Sequence, residues 1–324
     1  MGRKHLQFYS EKHYQKIADI FRLGKIKKIT YFYKGFQTPK VVATTLRGKF
    51  VISRNKLSNK KDLISKSIQS FHYEIDLLNL LAKYKLPVPC HKKTGGGKYA
   101  ILLDRSWVTV YQFLDGKQPK KLTPEMARQL GAFLGAFHKI GQKFTRNLGG
   151  RRKFYDLSPT VMQKMHHYTV RQKNAKLRKI VQEVRDGVKR TRPSRNLPSG
   201  PIHVDLKPEN ELFVRQRLSG VVDFGNFYRG PLMIDIGKTI MWNCIKRKKL
   251  NRKLVKEFFE GYTSKRSINT AEQAYVKNAV LFAIYSHIYV DLFHVPLGYV
   301  PESYTLSLVR DFLPVARWLE KVKL

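Results

Sequence analysis

Residues 67–84 set Ile68, Phe71, Ile75, Leu78 and Leu81 at spacings of three and four, the period of a helix with one buried face. Leu86-Pro87-Val88-Pro89 ends that helix, because proline pushes its predecessor out of the helical region. Ahead of it the pattern is different. Residues 25–33, 40–45 and 49–54 are rich in Ile, Val, Tyr and Thr and are predicted strands, preceded by a short helix over 11–23. Gly35 and Gly48 fall between these runs, where tight turns need them. Two more strands are expected over 99–104 and 108–113. After Leu114-Asp115-Gly116 the helical period dominates, over 124–139, 160–188, 254–262, 270–292 and 305–321. Strands followed by helices indicate an α+β chain with segregated lobes. The N-terminal lobe is expected over residues 1–113 and the C-terminal lobe over 114–324. One stretch interrupts the helical half: between Pro198 and Asp235 the chain reads as short strands and loops.

Composition supports a folded chain. Of 324 residues 42% are apolar and 12% aromatic, enough for a sizeable core. Cys90 and Cys244 lie far apart in no metal-ligand spacing, which fits a reduced compartment. The N-terminus has no apolar signal core, and residues 278–293, which include Ser286, His287 and Asp291, read as a buried helix rather than a membrane span. A cytoplasmic location without membrane insertion is the expectation. Charge adds a second theme. Lys and Arg number 63 against 23 acidic residues, a formal +40. Such a field attracts polyanions. Basic residues concentrate over 171–195 and 246–256 but are scattered elsewhere, so non-specific polyanion association on solvated faces stands beside a dedicated nucleic-acid site.

The interrupted stretch carries the chemistry. His203 is followed two residues later by Asp205, and Asn210 comes five beyond that. An apolar hairpin then leads to Asp223-Phe224-Gly225. Phosphoryl transfer requires these residue types: a carboxylate to orient a hydroxyl and accept its proton, and hard oxygen ligands to hold magnesium across phosphates. Asp205 suits the first role, Asn210 and Asp223 the second. Taken singly, each piece also reads as an ordinary turn.

In that order, and with that hairpin, the segment resembles the aminoglycoside phosphotransferase and choline kinase superfamily, relatives of protein kinases. Residues 218–224, the Asp235-Ile236-Gly237-Lys238 run and Trp242 are closest to type II homoserine kinases. The resemblance implies a bilobal protein-kinase-like fold, with a smaller, mainly antiparallel β N-lobe holding one main helix and a larger, mostly helical C-lobe. It implies ATP and Mg2+, with Asp205 as catalytic base, Asn210 and Asp223 as metal ligands, and Asp235 bracing the loop. Adenine would contact backbone near Gln112 and Leu114. Gly35 falls where a nucleotide-covering loop would lie, and Glu74 matches the superfamily's helix glutamate. The third strand departs from the pattern. Most members place a lysine there, whereas this chain has Ser53. Arg54, swung inward by a bulge, or Lys49 are the candidate replacements.

The acceptor implied is a small-molecule alcohol, homoserine first. An aminoglycoside, amino alcohol or sugar is the alternative, as is a kinase-like polyanion-binding module with little turnover. Several features are set aside. His13, His72, His91, His138, His166 and His167 show no zinc spacing. Ser199-Gly200 and Ser219-Gly220 read as turns, and Phe133, Phe137 and Ile140 form a core stripe.

Overall fold

The computed structural model describes residues 9–32, 39–56, 68–145, 157–169, 175–295 and 297–322. The chain divides into two compact units, residues 1–116 and 117–324.

In the first unit, helix α1 (Glu11–Ile20) starts at Ser10, whose hydroxyl accepts from the His13 amide. Strands β1 (Ile26–Phe32), β2 (Lys40–Thr45) and β3 (Gly48–Lys56) follow, then α2 (Ile68–Lys83), β4 (Ala100–Leu103) and β5 (Ser106–Gln112). They form one antiparallel sheet in the order β1-β2-β3-β5-β4. Strand alternation assigns the two faces. Val41, Ala43, Phe50, Ile52, Val108 and Val110 pack with Tyr14, Ile17 and Phe21 of the α1 segment in one apolar cluster. The opposite face carries Val51, Ser53, Thr109 and Trp107, and the Trp107 ring meets His72 of α2 at 6.0 Å.

The second unit contains α3 (Pro124–Gly141), α4 (Pro159–Thr169), α5 (Ala175–Arg190), β6 (Ser199–Ile202), β7 (Glu211–Val214), β8 (Arg217–Val221), β9 (Tyr228–Pro231), α6 (Leu232–Cys244), β10 (Ile245–Lys246), β11 (Lys249–Leu250), α7 (Arg252–Thr263), α8 (Thr270–His294) and α9 (Glu302–Lys321). Helix α8 opens with a capping box, in which the Asn269 side chain and the Glu272 side chain satisfy each other's backbone N–H. It is buried along most of its length, as its apolar pattern requires. Among the described residues no helix is long and apolar enough to cross a membrane. Gly237 lets α6 lie directly on α8, since a Cβ there would run into the Ala279 carbonyl.

The predicted strands and most helices appear with shifted ends. Residues 160–188, expected as one helix, are described as α4 and α5, with 170–174 outside the described residues. Ser199-Gly200 and Ser219-Gly220 are corrected from turns to strand, in β6 and β8. Helix α6 was not expected at all. Leu232, Met233, Ile234, Ile236, Ile240 and Met241 are buried, and so are Asp235, Thr239 and Asn243 on its polar side, so the helix turns that side inward instead of to solvent.

Candidate active site

Strand β6 delivers the chain into the loop at His203. Its ring is buried against Phe224, with centroids 4.4 Å apart. The Asp205 amide donates to His203 Nδ1 at 3.2 Å, and Nε2 lies 3.1 Å from the Val222 carbonyl. Only one tautomer satisfies both contacts, with the hydrogen on Nε2. Val204, between them, has φ 59°, a left-handed conformation that a β-branched residue adopts only under constraint. The constraint comes from Asp235 on α6. Its two oxygens accept from the amides of His203 and Val204, each at 2.7 Å. Asp235 is the fourth residue of its helix, and Pro231 occupies the N-cap, so the carboxylate spans to another segment instead of capping its own.

Behind Asp235 runs a buried relay. His138 of α3 meets Asp235 through Nε2 and the Tyr262 hydroxyl through Nδ1 at 2.8 Å. Arg266 donates to that hydroxyl and to Glu272 of the α8 capping box. Asn243, two turns beyond Asp235, donates to the Leu206 carbonyl at 3.3 Å and to Glu211 Oε1 at 2.7 Å. Helix α6 therefore fixes the loop at both ends. Sequence reasoning missed His138, Tyr262, Asn243 and the length of this network. A histidine in an apolar helical stripe carries no local sign of its distant partner.

The held loop presents Asp205 and Asn210. Asn210 donates through Nδ2 to the Asp205 carbonyl at 2.8 Å and to Asp205 Oδ2 at 3.3 Å. Lys207 Nζ is 3.1 Å from Asp205 Oδ1. Burial raises the Asp205 pKa above the usual carboxylate range, opposed by the nearby Lys207 charge. Strands β7 and β8 then turn back through Arg215 and Gln216, both at positive φ, the geometry of a two-residue hairpin turn. The Val222 amide donates to the Asn210 carbonyl at 2.9 Å, which returns the chain beside Asn210 just before exposed Asp223. Asp223 has φ 63° and ψ 58° and begins a short 3-10 turn. The second unit thus gathers the motif's His203, Asp205, Asn210 and the start of the Asp223 turn around one hairpin.

The donor set suits a hard cation. Asn210 commits its amide nitrogen to Asp205, which leaves its side-chain oxygen as the ligand atom, and Asp223 adds a carboxylate. Two protein oxygens are typical of magnesium, which takes its remaining ligands from phosphates and water. Among the described residues there is no group of three His, Cys, Asp or Glu that would hold a metal without a ligand's help.

The first unit holds the other expected residues. Gly35 lies outside the described residues. Ser53 is buried, and its Oγ is 3.4 Å from Asn55 Nδ2. Glu74 is half-buried on the α2 stripe that carries Leu78 and Leu81. Arg54 requires a correction. The β3–β5 register runs unbroken from Phe50 to Lys56, so no bulge forms. Its guanidinium stacks over the Tyr9 ring at 4.3 Å and donates to Ser106 Oγ, on the α1 face opposite Ser53. Lys49 shares the face of Ser53 by alternation, with Nζ 5.7 Å from the Phe113 ring centre. The Gln112 amide is used by Cys90 and the Phe113 amide by Lys49, both within the unit.

The sequence profile of the phosphotransferase enzyme family, APH, matches residues 29–268. The chain belongs to that family. It is accordingly a small-molecule phosphotransferase. A homoserine kinase of Rhodopseudomonas palustris (strain BisB18) is 23% identical over 307 residues, covering 90% of this chain and 88% of its own. Among solved structures, amicoumacin kinase hAmiN in complex with AMP-PNP and Ca2+ matches with TM-score 0.70 at 14% identity, over 96% of this chain and 94% of that one. A microcompartment-associated aminopropanol kinase matches with TM-score 0.69 at 16% identity, over 96% and 97%. The APH fold is the protein-kinase-like fold expected from the motif, with a five-stranded antiparallel sheet in the first unit and mostly helix in the second.

Proposed function

We propose that this phosphotransferase moves the γ-phosphoryl group of ATP to the side-chain hydroxyl of homoserine. The observation that carries the chemistry is the Asp205–Asn210 pair. Asn210 is hydrogen-bonded to the base it accompanies, and the β7–β8 hairpin brings the chain back toward Asp223. Asp205 accepts the proton of the acceptor hydroxyl as its oxygen bonds to phosphorus. The bond from the γ-phosphorus to its bridging oxygen breaks, and ADP leaves with that electron pair. Burial, by raising the affinity of Asp205 for a proton, suits it to this task. Asn210 and Asp223 hold Mg2+, which when bound neutralises the phosphate charge.

In this reading residues 1–113 are the nucleotide-binding lobe and 114–324 the catalytic and acceptor-binding lobe. Ser53 and Glu74 lie on the nucleotide side, Lys49 takes the place of the family's strand lysine, and adenine contacts backbone near Gln112 and Leu114. The choice of homoserine rests on the homoserine kinases that match most of the chain at low identity. Use of ATP and two unpaired thiols, Cys90 and Cys244, support a cytoplasmic location.

The test is an acceptor panel with labelled ATP and Mg2+, led by homoserine. Phosphohomoserine formation that disappears in Asp205→Asn, with folding retained, is expected. Transfer to another alcohol with none to homoserine would remove the substrate assignment and leave the phosphotransferase intact.

A further inference from the structure

Three polar side-chain atoms without a hydrogen-bond partner among the described residues gather near the transfer loop. They are Trp242 Nε1 on α6, and His287 Nε2 and Asp291 Oδ2 on α8. Buried polar groups are ordinarily satisfied, so three together need an account. Contacts tie them into one cluster. The Trp242 and His287 rings meet edge to face at 5.1 Å. His287 Nε2 lies 3.7 Å from Asp291 Oδ2, beyond hydrogen-bond reach. Lys238, one turn before Trp242, sets its Nζ 3.0 Å from His287 Nδ1 and 3.3 Å from the Ala283 carbonyl.

Those distances assign the protons. An ammonium donates only, so His287 Nδ1 accepts and Nε2 carries the hydrogen. Burial, aided by the Lys238 and Lys207 charges, holds the His287 pKa well below its ordinary value and keeps the ring neutral. The cluster also reaches the base. Lys207 Nζ is 3.1 Å from Asp205 Oδ1 and 5.6 Å from the centre of the Trp242 ring. Lys207 thus links the base to the cluster within two contacts.

The inventory is therefore two buried N–H donors, unpartnered among the described residues, and an ammonium beside the carboxyl of Asp291. Burial pushes the Asp291 pKa up to about 7, against the nearby Lys238 and Lys207 charges, so an incoming ammonium would favour its ionised form. Donors with a cation match a carboxylate, and Asp291 matches an ammonium. We infer that Trp242, His287, Lys238 and Asp291 form the acceptor subsite, gripping the carboxylate and amine of an α-amino acid whose side-chain hydroxyl is turned toward Asp205. This rests on the phosphotransfer reading above and adds which residues choose the acceptor. An acceptor lacking either charged group leaves buried polar atoms unpaired, which is how such sites reject analogues.

The test compares three acceptors in the full chain: homoserine, aminopropanol (no carboxylate) and the deamino hydroxy acid (no amine). The wild-type protein should favour homoserine over both by about 100-fold in kcat/KM. Asp291→Asn should lose about 100-fold on homoserine and aminopropanol, carried by KM, and change little on the hydroxy acid. Lys238→Met should do the reverse, losing homoserine and the hydroxy acid while sparing aminopropanol. Trp242→Phe removes the N–H donor along with part of the indole but keeps an aromatic ring, and should follow Lys238→Met if the lysine variant fails to fold. Equal losses on all three acceptors, with homoserine still the substrate of the wild-type protein, would make the cluster structural and overturn the inference alone. Wild-type preference for aminopropanol would overturn its carboxylate half, and turnover of none of the three would remove both the inference and the homoserine assignment.

Discussion

His138 Nε2 stands 3.1 Å from Asp235 Oδ2, and neither side chain reaches solvent. Burial lowers the His138 pKa, so the ring is neutral, donating to Asp235 and accepting from Tyr262. Asp235 thus gathers three donors: this ring and the amides of His203 and Val204. His138→Phe keeps the ring and removes one donor from a buried carboxylate, at a cost of roughly 1–3 kcal/mol. A lower melting temperature is expected, with kcat falling more than KM for ATP rises, because the brace on Val204 slackens. Thermal unfolding and steady-state kinetics read the two effects. An unchanged melting temperature would show that the relay does not support the loop.

Removal of the base separates chemistry from folding. Asp205→Asn keeps the shape of the side chain but cannot accept the hydroxyl proton. A loss of about 10²–10⁴-fold in kcat is expected, with nucleotide affinity and melting temperature largely kept. Single-turnover transfer from labelled ATP, together with nucleotide titration, measures both.

Glu211 gives a pH signature of its own. It is fully buried, and burial pushes its pKa from 4.5 up to about 8. The unfolded chain releases this proton near pH 4.5 and the folded chain near pH 8, so between those values the folded state holds one more proton. Its contribution to stability is whole below the lower value and is lost as pH rises toward the upper one, by about 1.4 kcal/mol per pH unit. Glu211→Gln stays neutral throughout. Its melting temperature relative to wild type should therefore climb steadily from about pH 5 to pH 8. A flat difference would mean that Glu211 is ionised in the fold.

The nucleotide side is decided by two neighbouring basic residues. Arg54 is committed to Tyr9 and Ser106 on the α1 face, so Arg54→Met should lower the melting temperature and leave KM for ATP unchanged. Lys49→Met, on the face of Ser53, should raise KM for ATP several-fold with little effect on stability. The opposite pattern would return the phosphate contact to Arg54.

Much of this architecture could be read from residue patterns. Strand and helix periods located the five-stranded sheet and most helices, because most of these elements alternate apolar with polar positions, while α8, buried nearly all round, was marked by the length of its apolar run. Dense local spacing located His203, Asp205, Asn210 and Asp223, whose hairpin is a matter of a few residues. What could not be read was long in sequence or turned against expectation. Helix α6 sets Asp235, Lys238, Thr239 and Asn243 on one side, but that side faces inward onto the loop and α8, so its polar residues read as part of the motif and not as a helix surface. His138 and Asp235 are 97 residues apart and meet only after α3 and α6 fold. His287 and Asp291 were visible as polar residues in a greasy helix, but their partners Lys238 and Trp242 lie on another element. Alternation alone set Arg54 opposite Ser53, and the stack on Tyr9 explains why no bulge reverses it.

Helix α6 carries Asp235, which holds the backbone beside the base, and within two turns Lys238 and Trp242, which face the proposed acceptor subsite. Gly237, between them, seats the helix backbone directly on α8. Reaction and selectivity therefore share one rigid bar. A substitution that shifts α6 along α8, as at Gly237, will displace the base and the subsite together, whereas one at His287 or Asp291 of α8, or a side-chain exchange at Lys238 or Trp242 that leaves α6 seated, changes the subsite alone. Directed evolution of new acceptor preferences should accordingly gather its first tolerated changes at these four positions and leave Gly237 untouched.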